Sequence, residues 1–372
     1  MGTELKQTPL RRAHLKAGAR LVPFAGWEMP VQYRGINEEH QVVRCRAGVF
    51  DVSHMGQIQF EGPGALPFLQ HLLPPELAGL GVGRLTYAVM CNPQGGAVDD
   101  LLVYRLKGQV YLVVVNASRL AEDREWVLAQ AQGFSGVVIE DRSEGFGMLA
   151  LQGPQAAAMV AQLGGGLALE LAYLECARVE LAGKPLWISR SGYTGEDGFE
   201  FLCPAQELEG WWAALLEQGA QPCGLGARDV LRTEMGYCLY GHELTLDHTP
   251  LEAGLGWSVA LAKEPGFIGQ QALRRQREEG LRRRLVGLRL GEQGIPRPQC
   301  RVLDADGREV GTVSSGTYSP ALACGIALAY VEVGHHQPGT PLWVELRGKA
   351  RRAKIVKTPF VPANTRRRGD RQ

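Results

Sequence analysis

Residues 92–118 read NPQGGAVDDLLVYRLKGQVYLVVVNAS. Two apolar, β-branched runs, 101–106 and 110–115, flank Lys107-Gly108. Runs of this kind joined by so short a connection predict an antiparallel hairpin. Lys-Gly suits a two-residue loop poorly, because the first position there favours Asn, Asp or Gly. A three-residue loop, Leu106-Lys107-Gly108 with Gly108 left-handed, fits better and sets Asp100 opposite Val114. Asn116 then lies one diagonal step from Asp100 on the same face, whereas a one-residue slip would pair Asp99 with Asn116. Adjacent strand residues point to opposite faces, so only one of the two acids shares a site with a given neighbour. The favoured register turns Asp100 inward and Asp99 away. The plainer alternative is a pair of solvated acids at a strand start.

Outward from the hairpin, residues 145–153, 186–190 and 199–204 read as further strands. Helical spacing appears over 66–73, over 121–132 with Ser118 as cap, over 154–165 with Pro154 at its start, over 204–220, and over 227–236 with Gly236 as the stop. Strand pairs mixed with helices, without regular βαβ spacing, predict an α+β fold with antiparallel sheets. After the arginine-rich stretch 274–284 the character changes to short strands separated by turns such as Asp306-Gly307 and Pro338-Gly339. That pattern predicts a small C-terminal β-barrel, dividing the chain into 1–283 and 284–372.

The chain has 372 residues and a formal charge of +1, so no bulk electrostatic argument favours nucleic acid or a membrane surface. Its eight cysteines include no CxxC pair, which argues against zinc or iron–sulfur loops and for reduced, mostly buried thiols. No run approaches a membrane span and the N-terminus has no apolar signal core, so a cytoplasmic protein is expected.

Three stretches are candidates for chemistry. In SGYTGEDGFEF (191–201), Asp197-Gly198 signals a tight hairpin turn, after which Phe199 and Phe201 share one strand face and Glu200 takes the other. An ionised carboxylate only accepts hydrogen bonds, so two parallel donors on a guanidinium or an amino-pyrimidinone edge would satisfy it. An exposed strand face is the plainer reading. In GLGARDVLRTEMGYCLYG (224–241), Arg228 stands in the first turn of a helix, where backbone N–H groups favour anions. Arg232 competes with it, unless it merely pairs with Asp229 on the helix surface. The third glycine of a dinucleotide loop is missing, and no βαβ unit surrounds the stretch. GVFDVSHMGQ (48–57) holds His54 and Met55, with no HExxH, nucleophile-elbow or Walker pattern anywhere in the chain.

Together these stretches resemble the glycine cleavage system T-protein (aminomethyltransferase) family nearly end to end. The likeness runs through TPLRRAHLKAGARLVPFAGWEMPVQYRGINEEHQVVRCRAGVFDVSHMG, GGAVDDLLVYRL, VVVNAS, SGYTGEDGFEF, GLGARDVLRTEMGYCLYGHEL, LEAGLGWSVALAK, GTVSSGTYSPALACGIALAYV and PFVPAN. The resemblance implies a cloverleaf around a central channel, with two interleaved α+β subdomains before the barrel, the second covering roughly 51–142. It implies tetrahydrofolate as co-substrate, no metal, and the lipoylated H-protein as partner. The implied reaction moves a one-carbon unit from the aminomethylated lipoyl arm to tetrahydrofolate, with release of ammonia. By position, Asp100 matches the essential aspartate, Glu200 the carboxylate on the pterin edge, and Arg228 a folate-contacting arginine. Met55, Tyr87, Val114, Asn116, Tyr193 and Trp257 fall where the family lines its folate pocket. Related iron–sulfur assembly factors carry a Lys-Gly-Cys element where this chain has Gly236-Tyr237-Cys238. One departure is Thr365, where many members carry an aromatic residue. It leaves Arg366-Arg367-Arg368 to meet the glutamate tail of folate or an acidic H-protein.

Overall fold

A computed structural model describes residues 4–366 of the chain. The hairpin anchors its largest sheet. Strand Ala97–Lys107 pairs antiparallel with Val110–Val115, Leu102 opposite Val114 and Arg105 opposite Tyr111. The turn differs from the expectation. Lys107 pairs with Val110 around Gly108-Gln109, the register shifts at Leu106, and Gly108 is not left-handed. The bulge absorbs an odd residue. The register is therefore displaced by two positions, bringing Asp100 level with Asn116 rather than Val114. An even displacement leaves every side chain on its expected face.

Eleven strands form one continuous sheet. Its first six, in spatial order, are Gln221–Pro222, Gly48–Asp51, Phe146–Gln152, Gly198–Pro204, Lys184–Arg190 and Glu175–Leu181. Arg84–Cys91, the two hairpin strands, Gly56–Glu61 and Val138–Asp141 complete it. Helix Ala65–Leu72 buries Phe68, Leu69 and Leu72 against the second half, while helix Leu208–Glu217 buries Trp211, Trp212 and Leu215 against the first. Helices Ile36–Cys45 and Leu225–Met235 cover the middle, where Val43, Phe50, Leu112 and Leu231 share a core.

Several local readings need correction. Helix Leu120–Gln130 starts after Arg119 with no side-chain cap, so Ser118 does not cap it. Asp197-Gly198 is not a tight turn: residues 191–197 form the connection and Gly198 already belongs to the strand. Arg190 holds Asp197 instead, its Nε donating to Oδ1 at 2.8 Å. Gly236 does stop its helix, at φ 69°, the left-handed conformation that closes helix ends.

From Arg283 to Val356 six strands close into a barrel filled by Leu288, Val302, Val313, Ala329, Val344 and Ile355. Closure removes the sheet edges. The barrel is pinned to the α+β region by buried charges. Arg232, 1% exposed, donates through Nη2 to Ser315 Oγ and through Nη1 to Glu243 Oε2, both at 2.8 Å. Arg232 does contact Asp229, but it is a buried clamp rather than a surface ion pair. Beyond the barrel, Phe360 N donates to Glu234 O and Asn364 N to Gly195 O, each at 2.7 Å.

Candidate active site

A cavity of about 1280 Å³ opens between the middle of the sheet, helix Leu225–Met235, the loop after it, and the barrel residues Leu285, Val286 and Leu328. All nine residues singled out from the sequence line it: Asp100, Tyr87 and Asn116; Glu200, Tyr193 and Arg228; Met55, Val114 and Trp257.

Asp100 is held on both oxygens. The Tyr87 hydroxyl donates to Oδ2 at 3.0 Å, and Asn116 Nδ2 donates to Oδ1 at 2.9 Å. Withdrawal from water raises its pKa to about 7, and the negative charge of Asp99 adds to the rise. The two hydrogen bonds act in the opposite sense. A carboxyl poised near neutrality can accept a proton or carry a charge in the same site. Asp99 is on the other sheet face, as expected, but it is not solvated: it is fully buried and bonded by Asn116 N and Nδ2.

Glu200 belongs to strand Gly198–Pro204, between Ala150 and Ser189 of the neighbouring strands. Phe199 and Phe201 are fully buried on the other face, so the alternation turns the carboxylate toward the cavity. Ser191 Oγ donates to Glu200 Oε2 at 2.5 Å, leaving Oε1 without a protein donor among the described residues.

Arg228 comes from the first turn of its helix. Buried Glu39 places that turn: its Oε1 accepts the N–H groups of Tyr33, Arg34 and Gly35, and its Oε2 accepts Gly224 N at 2.8 Å. The Arg228 guanidinium lies 4.8 Å over the Tyr193 ring, and its Nη1 is enclosed without a hydrogen-bond partner among the described residues. Burial lowers its pKa, while the charge of Glu200 opposes the change. Trp257, 70% exposed, stands at the rim and stacks on Tyr87 with ring centroids 5.7 Å apart.

The same wall includes residues that sequence reading left out or left open. Arg232, Cys238 and Thr358 reach the cavity from the helix, the following loop and the segment after the barrel. No local pattern marks Cys238 or Thr358; they arrive by tertiary folding. His54 also lines the cavity, and burial pushes its pKa down to about 4, keeping it neutral. Among the described residues no three His, Cys, Asp or Glu side chains converge as metal ligands would.

An α+β sheet joined to a closed barrel, with a carboxylate-walled cavity at the junction, defines a two-module ligand-binding enzyme. Residues 10–263 match the GCVT N-terminal domain, and residues 283–362 match the glycine cleavage T-protein C-terminal barrel domain. Similar proteins include the aminomethyltransferase of Symbiobacterium thermophilum, 47% identical over 99% of this chain and 100% of the relative. That of Bacillus pumilus is 46% identical over 96% of this chain and 98% of its own. The crystal structure of glycine cleavage system aminomethyltransferase T from Bartonella henselae superposes with a TM-score of 0.93 at 36% identity, covering 98% of this chain and 100% of that one. The chain belongs to the glycine cleavage T-protein family. Its activity is that of a folate-dependent aminomethyltransferase of the glycine cleavage system.

Proposed function

We propose that the cavity binds tetrahydrofolate and admits the aminomethylated lipoyl arm of the H-protein in the cytoplasm, and that Asp100 is the carboxylate at the reacting atoms. The observation that carries this reading is Asp100 itself, facing a large cavity with each oxygen held by one donor and its pKa raised to about 7. The volume suits the reading, since about 1280 Å³ exceeds the roughly 300–1,000 Å³ of an ordinary small-molecule pocket. It leaves room for a folate and the end of a second substrate.

The donor and acceptor set also fits a pterin carrying an acidic tail. Glu200 offers carboxylate oxygens to the donor–donor edge of the ring, and Arg228 holds an unused N–H for an acceptor. Tyr87, Tyr193 and Trp257 present ring surface, and Met55 and Val114 apolar surface. Bound tetrahydrofolate supplies the nitrogen nucleophiles that take the carbon. In the transfer, the C–N bond to the departing ammonia and the C–S bond to the lipoyl sulfur break. Two C–N bonds to folate form, with no change of oxidation state. Positive charge gathers on the carbon as ammonia leaves, and ionised Asp100 lowers the energy of that charge. The same carboxylate orients the attacking amine through its proton. Asn116 and Tyr87 hold Asp100 in place during both events.

The deciding experiment incubates the protein with aminomethylated H-protein and measures ammonia and methylene-tetrahydrofolate, with and without tetrahydrofolate. Both products are expected only when folate is present; folate binding without either product would leave a carrier rather than an enzyme. Glu200→Ala should weaken tetrahydrofolate binding by roughly 2–4 kcal/mol, the loss of a paired charge-assisted contact. Calorimetric titration giving an unchanged Kd would place Glu200 outside the folate contacts.

A further inference from the structure

Asp100 has a second carboxyl behind it and a third behind that. Asp99 accepts Asn116 N at 3.0 Å and Asn116 Nδ2 at 2.8 Å. Asp123, in the first turn of helix Leu120–Gln130, is fully buried against it. Neither Asp123 oxygen receives a hydrogen bond from any N–H or hydroxyl group of the described residues. The Asp99 carboxyl lies within hydrogen-bonding reach of it.

The neighbouring cation does not resolve this arrangement. Arg119 donates from Nε to Val98 O at 3.2 Å, lies 4.8 Å over the Tyr240 ring, and makes its ion pair with Glu122 at 3.6 Å. An ionised carboxylate has no hydrogen to donate, and two facing anions without a donor between them would repel in a medium of low dielectric. One proton turns the repulsive contact into an O–H···O⁻ hydrogen bond.

We propose that Asp123 is a neutral carboxylic acid that donates its hydrogen to Asp99, and that this acid pair is the positioning device holding Asn116 against Asp100. The inference rests on Asp100 being the reacting carboxylate. Asn116 Nδ2 carries two hydrogens and has three acceptors in reach: Asp99 Oδ1 at 2.8 Å, Asp100 Oδ1 at 2.9 Å and Asp100 O at 3.0 Å. With one hydrogen anchored on Asp99, the other is aimed at Asp100. The anchor holds only while Asp99 keeps anionic acceptors, and the proton on Asp123 lets it do so without water.

The pair retains one negative charge next to Asp100. The other titratable groups around Asp100 are Tyr87, Tyr193 and Cys238, and those around the pair are Arg119, Glu122 and Tyr240. Consistent with this geometry, burial and the charge of Asp99 push the Asp123 pKa up to about 10. Asp99 and Asp123 are thus positioning residues, acting on the reaction through Asn116.

Infrared spectroscopy of the intact enzyme labelled with ¹³C-aspartate tests the proton directly. At pH 8.5, midway between the two raised pKa values of about 7 and about 10, Asp100 is ionised and a carboxylic acid C=O stretch is expected in the wild type. It should persist in Asp100→Asn and vanish in Asp123→Asn. A band absent from the wild type, or surviving Asp123→Asn, overturns the proton assignment. This readout does not depend on turnover, so it stands or falls separately from the role of Asp100.

Kinetics then tests the positioning. Asp123→Leu, similar in size but without a donor, should lower kcat about 10- to 100-fold with little change in KM for tetrahydrofolate. Asp123→Asn, which keeps a donor toward Asp99, should recover most of that loss. Wild-type kcat in the leucine variant, or equal losses in both, overturns the positioning role. Asp99→Asn should move the acid limb of kcat/KM to lower pH by removing the adjacent charge, and an unmoved limb counts against it.

Discussion

With Tyr87 on one oxygen, Asn116 on the other and an anion behind it, Asp100 has a protonation state governed by its surroundings. If transfer needs the ionised form, kcat/KM should rise through an acid limb near pH 7, the raised value. Asp100→Asn should remove that limb and lower kcat about 10²- to 10⁴-fold while leaving folate binding largely intact. An unchanged rate would discredit the assigned role. The raised value also sets a sign for stability. The folded pKa lies above the ordinary 3.8, so the native protein holds a proton that the unfolded chain has released. The associated stability is complete below pH 4 and is lost as pH rises through about 7. Asp100→Asn should therefore gain on the wild type in urea denaturation at pH 8 relative to pH 4; no gain would mean that the site is not desolvated when empty.

At the scale of the element, Glu39 decides where the helix carrying Arg228 begins. One buried carboxylate collects three N–H groups before helix Ile36–Cys45 and the Gly224 N–H before helix Leu225–Met235. Glu39→Ala leaves those donors unpaired in the interior and should destabilise the protein by about 3 kcal/mol or more, measured by urea denaturation. A loss under about 1 kcal/mol would mean that water reaches them. Local pattern could not show this. No element is predicted for the stretch around Glu39, and its partner Gly224 is distant in the chain. The hairpin shows the opposite case. Its turn differs from the one its residues predict, yet the alternation of its side chains is as expected, because the two-residue shift preserves the faces.

At the scale of the whole molecule, the cavity exists because the barrel is docked beside the sheet, and Arg232 is central to that docking. Its guanidinium joins Asp229 and Glu243 to barrel residue Ser315. Arg232→Ala strands a buried Glu243 and should cost about 3–5 kcal/mol of stability. Arg232→Met combined with Glu243→Gln should recover part of the loss, since no buried charge remains unpaired. A single variant as stable as the wild type in chemical denaturation would show that the seam is held by apolar contact alone. The sequence indicated a barrel after residue 284 through its turns and strand runs, but gave no sign of which charges would join it to the rest.

The order of residues by itself determined the period-two alternation that turns Asp100 away from Asp99 and Glu200 away from Phe199 and Phe201, the left-handed stop at Gly236, the strand-rich C-terminal module and the family. Those properties depend on local sterics and hydrophobic patterning, which a few neighbouring residues dictate. Only the tertiary structure decided that Asp99 is buried rather than solvated, that Asp123 meets it, and that Glu39 and Arg232 are internal clamps. Charge state depends on solvent exclusion and on partners brought together from distant parts of the chain, and both are set when the sheet, helices and barrel close around the cavity.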